Sequence, residues 1–91
     1  MNKRYDNVFD AIAGTPQEAL NMKLRAEMIN EIRRRIEQRG WTQQEAAEQL
    51  GITQPRVSDL LRGKLSRFSL DVLVNMLATL GGDIELKIKV A

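Results

Sequence analysis

Residues 42–63, TQQEAAEQLGITQPRVSDLLRG, carry the start and end patterns of two short helices in close succession. Thr42 followed by Glu45 is the pattern of a capping box, which begins a helix. Gly51 is suited to end that helix, and Thr53 is a second N-cap residue with a proline in the turn that follows it. In a helix-turn-helix, a turn of a few residues that often contains glycine joins two helices that cross steeply. The segment therefore predicts a helix-turn-helix.

The second helix, predicted over residues 54–62, has different chemistry on its two faces. At about 100° per residue, Val57, Leu60 and Leu61 lie on one side. We expect this side to pack against the first helix near Ala47, with a glycine in the turn. The opposite side carries polar residues where further aliphatic residues would have enlarged a core. Such a polar ridge on a single helix is narrow enough to enter the major groove of DNA.

Each side chain on this ridge has a chemical match on a base edge. Gln54 can form two hydrogen bonds to adenine, and Arg56 or Arg62 can do the same with guanine. Asp59 can accept a hydrogen bond from cytosine, while Pro55 can pack on a thymine methyl group. The competing interpretation is an ordinary helical hairpin whose polar face is only solvated.

Residues that flank the ridge are suited to bind the phosphate backbone. Gln43 begins the first helix, where side-chain and main-chain amides can contact phosphate, and Lys64 and Arg67 follow the second helix in a loop. Between residues 51 and 70, four basic residues oppose one acidic residue, an excess of three (4 − 1). The predicted DNA-binding residues are Gln43, Thr53, Gln54, Pro55, Arg56, Ser58, Asp59, Arg62, Lys64 and Arg67.

A long helix is predicted before this motif. Thr15 is the expected N-cap, with Pro16 at the first helical position, Glu18 closing a capping box and Gly40 ending the helix. We expect the arginines at 33–35 to lie mainly on its solvated face, and the alternative is that one or two of them contact phosphate. Its apolar residues recur at helical spacing and predict one buried stripe, formed by Leu20, Leu24, Met28, Ile29, Ile32 and Ile36.

Two further helical segments are predicted outside the central motif. Phe68 and Ser69 have the pattern of a hydrophobic staple and an N-cap, so a last helix is expected from Leu70 to the glycines at 81–82. Residues 1–14 form an arm or short helix whose apolar side chains, Tyr5, Val8, Phe9 and Ile12, share one side. These side chains either cover the protein's own core or contact a partner.

The C-terminal residues change from helical spacing to strict alternation. From residue 83 to 90 apolar and charged residues alternate, which predicts a strand with one apolar face. A lone strand is not stable, so we expect two copies to pair about Leu86 in an antiparallel ribbon with Glu85 opposite Lys87. The predicted dimerisation residues are Ile84, Leu86, Ile88 and Val90. The alternatives are a frayed tail and a strand held by another protein.

Composition narrows the classes of function. The chain has 91 residues, a net charge of +2, and no cysteine or histidine, so thiol chemistry and ordinary zinc sites are excluded. No apolar run approaches the roughly 20 residues of a membrane span, and no leader peptide is indicated. The carboxylates of Glu45 and Glu48 lie on a capped helix with no nucleophile and base pair suggested. We therefore expect a cytoplasmic protein without cofactor, metal or enzymatic activity.

The segments RGWTQQEAAEQLGITQPRVSDLLRGK and FSLDVLVNMLATLGGDIELKI, preceded by EALNMKLRAEMINEIRRRIEQRG, resemble the Cro/repressor-type (XRE) helix-turn-helix family. Over about residues 16–90 the chain is similar to the HigA-like antitoxin branch of that family. The resemblance implies a mainly α, five-helix domain whose C-terminal β-strand pairs in a dimer. The expected parts are an arm at 1–14, a helix-turn-helix domain at 15–82 and a dimerisation strand at 83–91.

The same resemblance implies a function. Such proteins bind palindromic operators in double-stranded DNA as homodimers, repress their own operon and, in the antitoxin branch, bind an mRNA-cleaving toxin of the RelE/HigB kind. Pro55 and Asp59 depart from the groove residues usual in the family, which leaves the operator sequence open. The alternatives are a protein-binding module that neutralises a partner without binding DNA, and a stand-alone regulator of the phage or plasmid type.

Overall fold

The computed structural model describes residues 13–90, and this part of the chain is mainly helical. Four α-helices form it: α1 (Pro16–Arg39), α2 (Gln43–Leu50), α3 (Gln54–Leu61) and α4 (Leu70–Thr79), with a 3-10 helix (Leu65–Arg67) between α3 and α4. None of the described helices combines the length and the hydropathy needed to cross a membrane. The fifth helix expected from the sequence falls largely on residues 1–12, which lie outside the described part.

Hydrogen bonds at the helix starts follow the local sequence closely. At α2 the capping box is complete, since the N–H of Glu45 donates to Thr42 Oγ1 at 3.1 Å and the N–H of Thr42 donates to Glu45 Oε1 at 2.8 Å. At α1 only half of the predicted box is formed. The N–H of Glu18 donates to Thr15 Oγ1 at 3.1 Å, but the Glu18 carboxylate accepts from the Thr15 hydroxyl at 3.3 Å and not from its amide.

The core lies where α2, α3 and α4 pack against the second half of α1. Val57 and Leu60 of α3 are fully buried there, as are Ala46 of α2 and Leu73 of α4. Phe68, which precedes the N-cap of α4, is 2% exposed and belongs to this core, as the staple pattern predicts. The predicted contact of α3 with α2 is confirmed, and α3 is thereby held with its opposite face outward.

The first half of α1 does not follow the predicted buried stripe. Leu20 is 59% exposed and Leu24 is 40% exposed, whereas Ile29, Ile32 and Ile36 are buried. The physical reason is that the clustered core of the described residues begins at Ile29, with Met28 at its edge. The prediction of one continuous buried stripe was therefore wrong for these two leucines.

The C-terminal strand is not formed within the described chain. Residues 83–90 have no β-structure, and Leu86, Ile88 and Val90 are 78%, 78% and 87% exposed. Alternation alone cannot form a strand, because the backbone needs a second extended segment to supply its hydrogen bonds. The strand is thus absent among the described residues, and its pairing with a second copy stays a prediction.

Substitutions at Gly51 can test how strongly the turn depends on the left-handed conformation of this residue. Its φ of +70° lies in the left-handed region, and a Cβ added there meets no atom within 4 Å. We therefore expect Gly51→Ala to reduce the free energy of unfolding by about 1–2 kcal/mol through backbone strain alone, as measured by urea denaturation. Gly51→Asn is the matched control and should cost less, since asparagine tolerates this conformation. Equal losses in the two variants would contradict the assignment.

Candidate nucleic-acid interface

The turn between α2 and α3 places the polar face of α3 on the surface. The N–H of Ile52 donates to the carbonyl oxygen of Ala47 at 3.0 Å, which closes the turn around Gly51. Thr53 caps α3, because its hydroxyl accepts the N–H of Arg56 at 3.4 Å. With Val57 and Leu60 in the core, the other side of α3 faces outward.

The predicted site residues differ in how exposed their side chains are to solvent. Gln54, Pro55 and Arg62 are exposed, and Ser58 is half-buried between them. Gln43 is exposed at the first position of α2. The side chain of Arg62 forms no ion pair or hydrogen bond with the residues described. Arg62, the C-cap residue directly after α3, is therefore better placed than Arg56 to contact a base.

Arg56 is directed toward the 3-10 helix and away from the outer ridge. Its Nη1 donates to the carbonyl oxygen of Arg67 at 3.2 Å, and its guanidinium lies 4.6 Å from the centre of the Phe68 ring. A cation over an aromatic ring is attracted by the ring's electron-rich face. In this arrangement Arg56 positions the loop that follows α3, and binding guanine would require it to give up both contacts.

Asp59 contacts the two loop cations that the sequence assigns to phosphate. Its carboxylate lies 3.4 Å from Lys64 Nζ and 3.7 Å from Arg67 Nη1. The Asp59 side chain is only 19% exposed, whereas those of Lys64 and Arg67 are 41% and 58% exposed. Asp59 therefore holds both cations at the end of α3 while leaving their outer sides accessible.

The loop is also held from α1, by a residue that the sequence analysis did not select. Arg25 Nη1 donates to the carbonyl oxygen of Leu65 at 2.7 Å, and its Nε donates to Asn21 Oδ1 at 2.6 Å. Arg25 and Leu65 are 40 positions apart, so no local spacing reveals this contact. Two arginines thus bind carbonyl oxygens at the two ends of the 3-10 helix, Arg25 from α1 and Arg56 from α3.

A family model named HTH_37 and described as a helix-turn-helix domain matches residues 11–89. The chain belongs to this helix-turn-helix family. The match includes all four helices and most of the tail, and it agrees with the broader part of the resemblance to Cro/repressor-type proteins. A search among curated proteins gave no match.

Family membership supports a role in DNA binding and leaves the branch open. The description names the helix-turn-helix and does not name an antitoxin, a toxin partner or a dimer. The HigA-like branch is thus a narrower proposal than the family itself. The helix-turn-helix nevertheless identifies the exposed ridge of α3 as the candidate DNA-binding surface.

The contact between Arg25 and Leu65 leads to a prediction about the loop of this helix-turn-helix domain. Arg25→Ala should accelerate amide hydrogen exchange at Arg67 and Phe68, whose N–H groups donate to Lys64 and Leu65. Loss of one such hydrogen bond, worth about 1 kcal/mol, corresponds to roughly fivefold faster local exchange. Arg34→Ala, on the same helix but remote from the loop, is the control. Unchanged exchange in Arg25→Ala would show that the loop does not depend on this contact.

Proposed function

We propose that the protein is a sequence-specific, DNA-binding transcriptional repressor. One observation carries the proposal: the second helix of a helix-turn-helix, α3, buries Val57 and Leu60, while Gln54, Pro55 and the C-cap residue Arg62 are exposed to solvent. These outward side chains can form hydrogen bonds or apolar contacts with the edges of bases. They lie on a convex surface that is as wide as one helix. The membership in a helix-turn-helix family agrees with this role.

In the proposed mechanism, α3 enters the major groove and the segments beside it bind the backbone. Arg62 contacts guanine, Gln54 contacts adenine, and Pro55 packs on a thymine methyl group. Gln43 at the start of α2 and the outer sides of Lys64 and Arg67 contact phosphates, which sets the register of α3 on the duplex. Repression follows because a protein bound at the promoter excludes RNA polymerase.

We further propose that the protein acts as a homodimer on a palindromic operator. A dimer places two recognition helices in successive major grooves, about 34 Å apart. The described tail supports this proposal, since Leu86, Ile88 and Val90 are exposed and alternate with charges. Burial of such apolar side chains against a second tail would stabilise a small domain.

A narrower proposal is that this repressor is an autoregulating antitoxin that binds a RelE/HigB-like toxin. Its support is the resemblance to the HigA-like branch, together with an apolar surface on α1 where Leu20 and Leu24 are exposed. The other part of the proposed toxin surface, with Tyr5, Val8, Phe9 and Ile12, lies outside the described residues. This proposal requires a small toxin-like reading frame beside the gene, and a stand-alone regulator would lack one.

The proposed activity is binding and includes no catalytic step or cofactor. The described carboxylates of Glu45 and Glu48 lie on the exposed surface of α2, and Glu45 is used in the capping box. Since its proposed ligand is genomic DNA, we place its action in the cytoplasm. A protein-binding module that does not bind DNA is the alternative, favoured only by the exposed leucines of α1.

DNA binding can be tested on the duplex that lies upstream of the protein's own gene. We expect the wild type to shift this duplex in an electrophoretic assay, with an affinity that falls steeply as salt rises. Arg62→Ala should lose about 1–3 kcal/mol of binding free energy to the operator because a guanine contact is removed. Glu37→Gln, on the exposed surface of α1, is a control that should bind as the wild type does. A wild type that shifts no duplex would favour the protein-binding module.

The proposed register of the dimer can be tested by exchanging charges. In a ribbon centred on Leu86, Glu85→Lys brings a lysine opposite Lys87 and should weaken the dimer by roughly tenfold. Adding Lys87→Glu should restore the dimer, because the opposite charges face each other again. Light scattering over a range of protein concentrations measures both effects. A wild type that is monomeric at micromolar concentration would exclude the dimer, and no recovery in the double variant would exclude this register.

A further inference from the structure

The three consecutive arginines of α1 have different environments. Glu31 forms ion pairs with both Arg34 and Arg35, at 3.1 Å from the Nε of Arg35. The hydrogen bond from Arg34, and then the charges of both arginines, hold the pKa of Glu31 below its usual value. Glu31 is therefore ionised at neutral pH and offsets positive charge at Arg34 and Arg35. No described carboxylate pairs with Arg33.

Arg33 also lies on a different side of α1 from the other two arginines. Together with Ala26, Ile29 and Asn30 it lines a shallow depression that Gly63 and Leu65 close from the opposite side. Its only hydrogen bond to a described side chain goes from Nη1 to Asn30 Oδ1 at 3.3 Å. The charged end of Arg33 is therefore near the loop that follows α3, although the two segments are 30 positions apart in sequence.

Gly63 lies close to the charged end of Arg33. Its φ is +70°, and a Cβ placed on it would lie 3.9 Å from Arg33 Nη1. Its neighbours in sequence are Arg62, which is the exposed C-cap residue of α3, and Lys64, which is paired with Asp59. Arg33 thus extends the basic surface at the end of α3 by a cation that comes from another helix.

We propose that Arg33 binds a backbone phosphate of the DNA at the edge of the groove that α3 occupies. This inference rests on the proposed function and adds α1 to the DNA-binding surface. A guanidinium suits a phosphate because its N–H groups can form two parallel hydrogen bonds to the anion. Base edges lie inside the groove with α3, whereas phosphates line its rims, where the loop after α3 and Arg33 lie.

The same geometry makes Arg33 better suited to bind a phosphate than Arg34 and Arg35. A phosphate brought to Arg34 or Arg35 would also approach the ionised Glu31, and this like charge reduces the gain. Arg33 is attached to the side of α1 that packs against the 3-10 helix and α3, so its position is set by the same core that positions α3. Of the run RRR, only Arg33 is thus assigned to DNA.

Arg33→Ala and Arg34→Ala form a matched pair, since each removes one arginine from neighbouring positions of the same helix. Binding is measured by fluorescence anisotropy on the duplex upstream of the gene and on an unrelated duplex, at several salt concentrations. Arg33→Ala should weaken both by roughly tenfold, because a phosphate contact carries no sequence information. The slope of log affinity against log salt should fall by about one. Arg34→Ala should retain the wild-type slope, and Arg33→Lys should recover most of it.

The possible outcomes separate this inference from the proposed function. Circular dichroism and urea denaturation confirm first that both alanine variants fold as the wild type does. If the wild type binds DNA and Arg33→Ala has the same affinity and salt slope as Arg34→Ala, the assignment of Arg33 is overturned while the repressor proposal stands. If Arg33→Ala weakens only the upstream duplex, Arg33 reads a base and the phosphate assignment is overturned. If the wild type binds neither duplex, both proposals fail.

Discussion

The packing of α2 against α3 depends on small buried side chains where the two helices meet. Ala46 is fully buried and Ala47 is 7% exposed, so the backbone of α2 can lie near Val57 and Leu60 of α3. A larger side chain at either alanine would require the helices to separate, because a well-packed core does not accept added volume without strain. The left-handed Gly51 permits the short turn that this approach requires. The direction in which the outer face of α3 points follows from these contacts.

A second set of contacts determines the shape of the loop after α3. Arg25 and Arg56 donate to carbonyl oxygens at opposite ends of the 3-10 helix, and Asp59 attracts the side chains of Lys64 and Arg67. Most of these charged groups serve to position other groups, so their presence in a basic segment does not by itself make them ligands of DNA. Fewer basic side chains are therefore available to DNA than the sequence of this segment suggests. The contacts within the protein fix where the available ones lie.

Local patterns predicted most of the helical architecture, because helix ends are determined by nearest neighbours in sequence. The cap at Thr42, the cap at Ser69 and the left-handed glycines at 40, 51 and 81 are all found in the structure. The stripe on α1 failed at Leu20 and Leu24 because periodicity shows that a helix has an apolar side but does not show what covers it. The tail is not a strand among the described residues, because a strand needs a hydrogen-bonding partner and these residues supply none. Its pairing in a dimer stays a prediction.

The sequence by itself determined the helix-turn-helix and the chemistry of the ridge on α3, since caps, turn glycine and apolar spacing act over only a few residues. Gln54, Pro55 and Arg62 were correctly expected on the exposed side for that reason. Only the tertiary structure decided which charges are available. It directs Arg56 to Phe68 and Arg67, pairs Asp59 with Lys64, and brings Arg33 beside Gly63. Several of these contacts join residues distant in sequence, and such proximity arises when the core packs α1 against α3 and the loop that follows it.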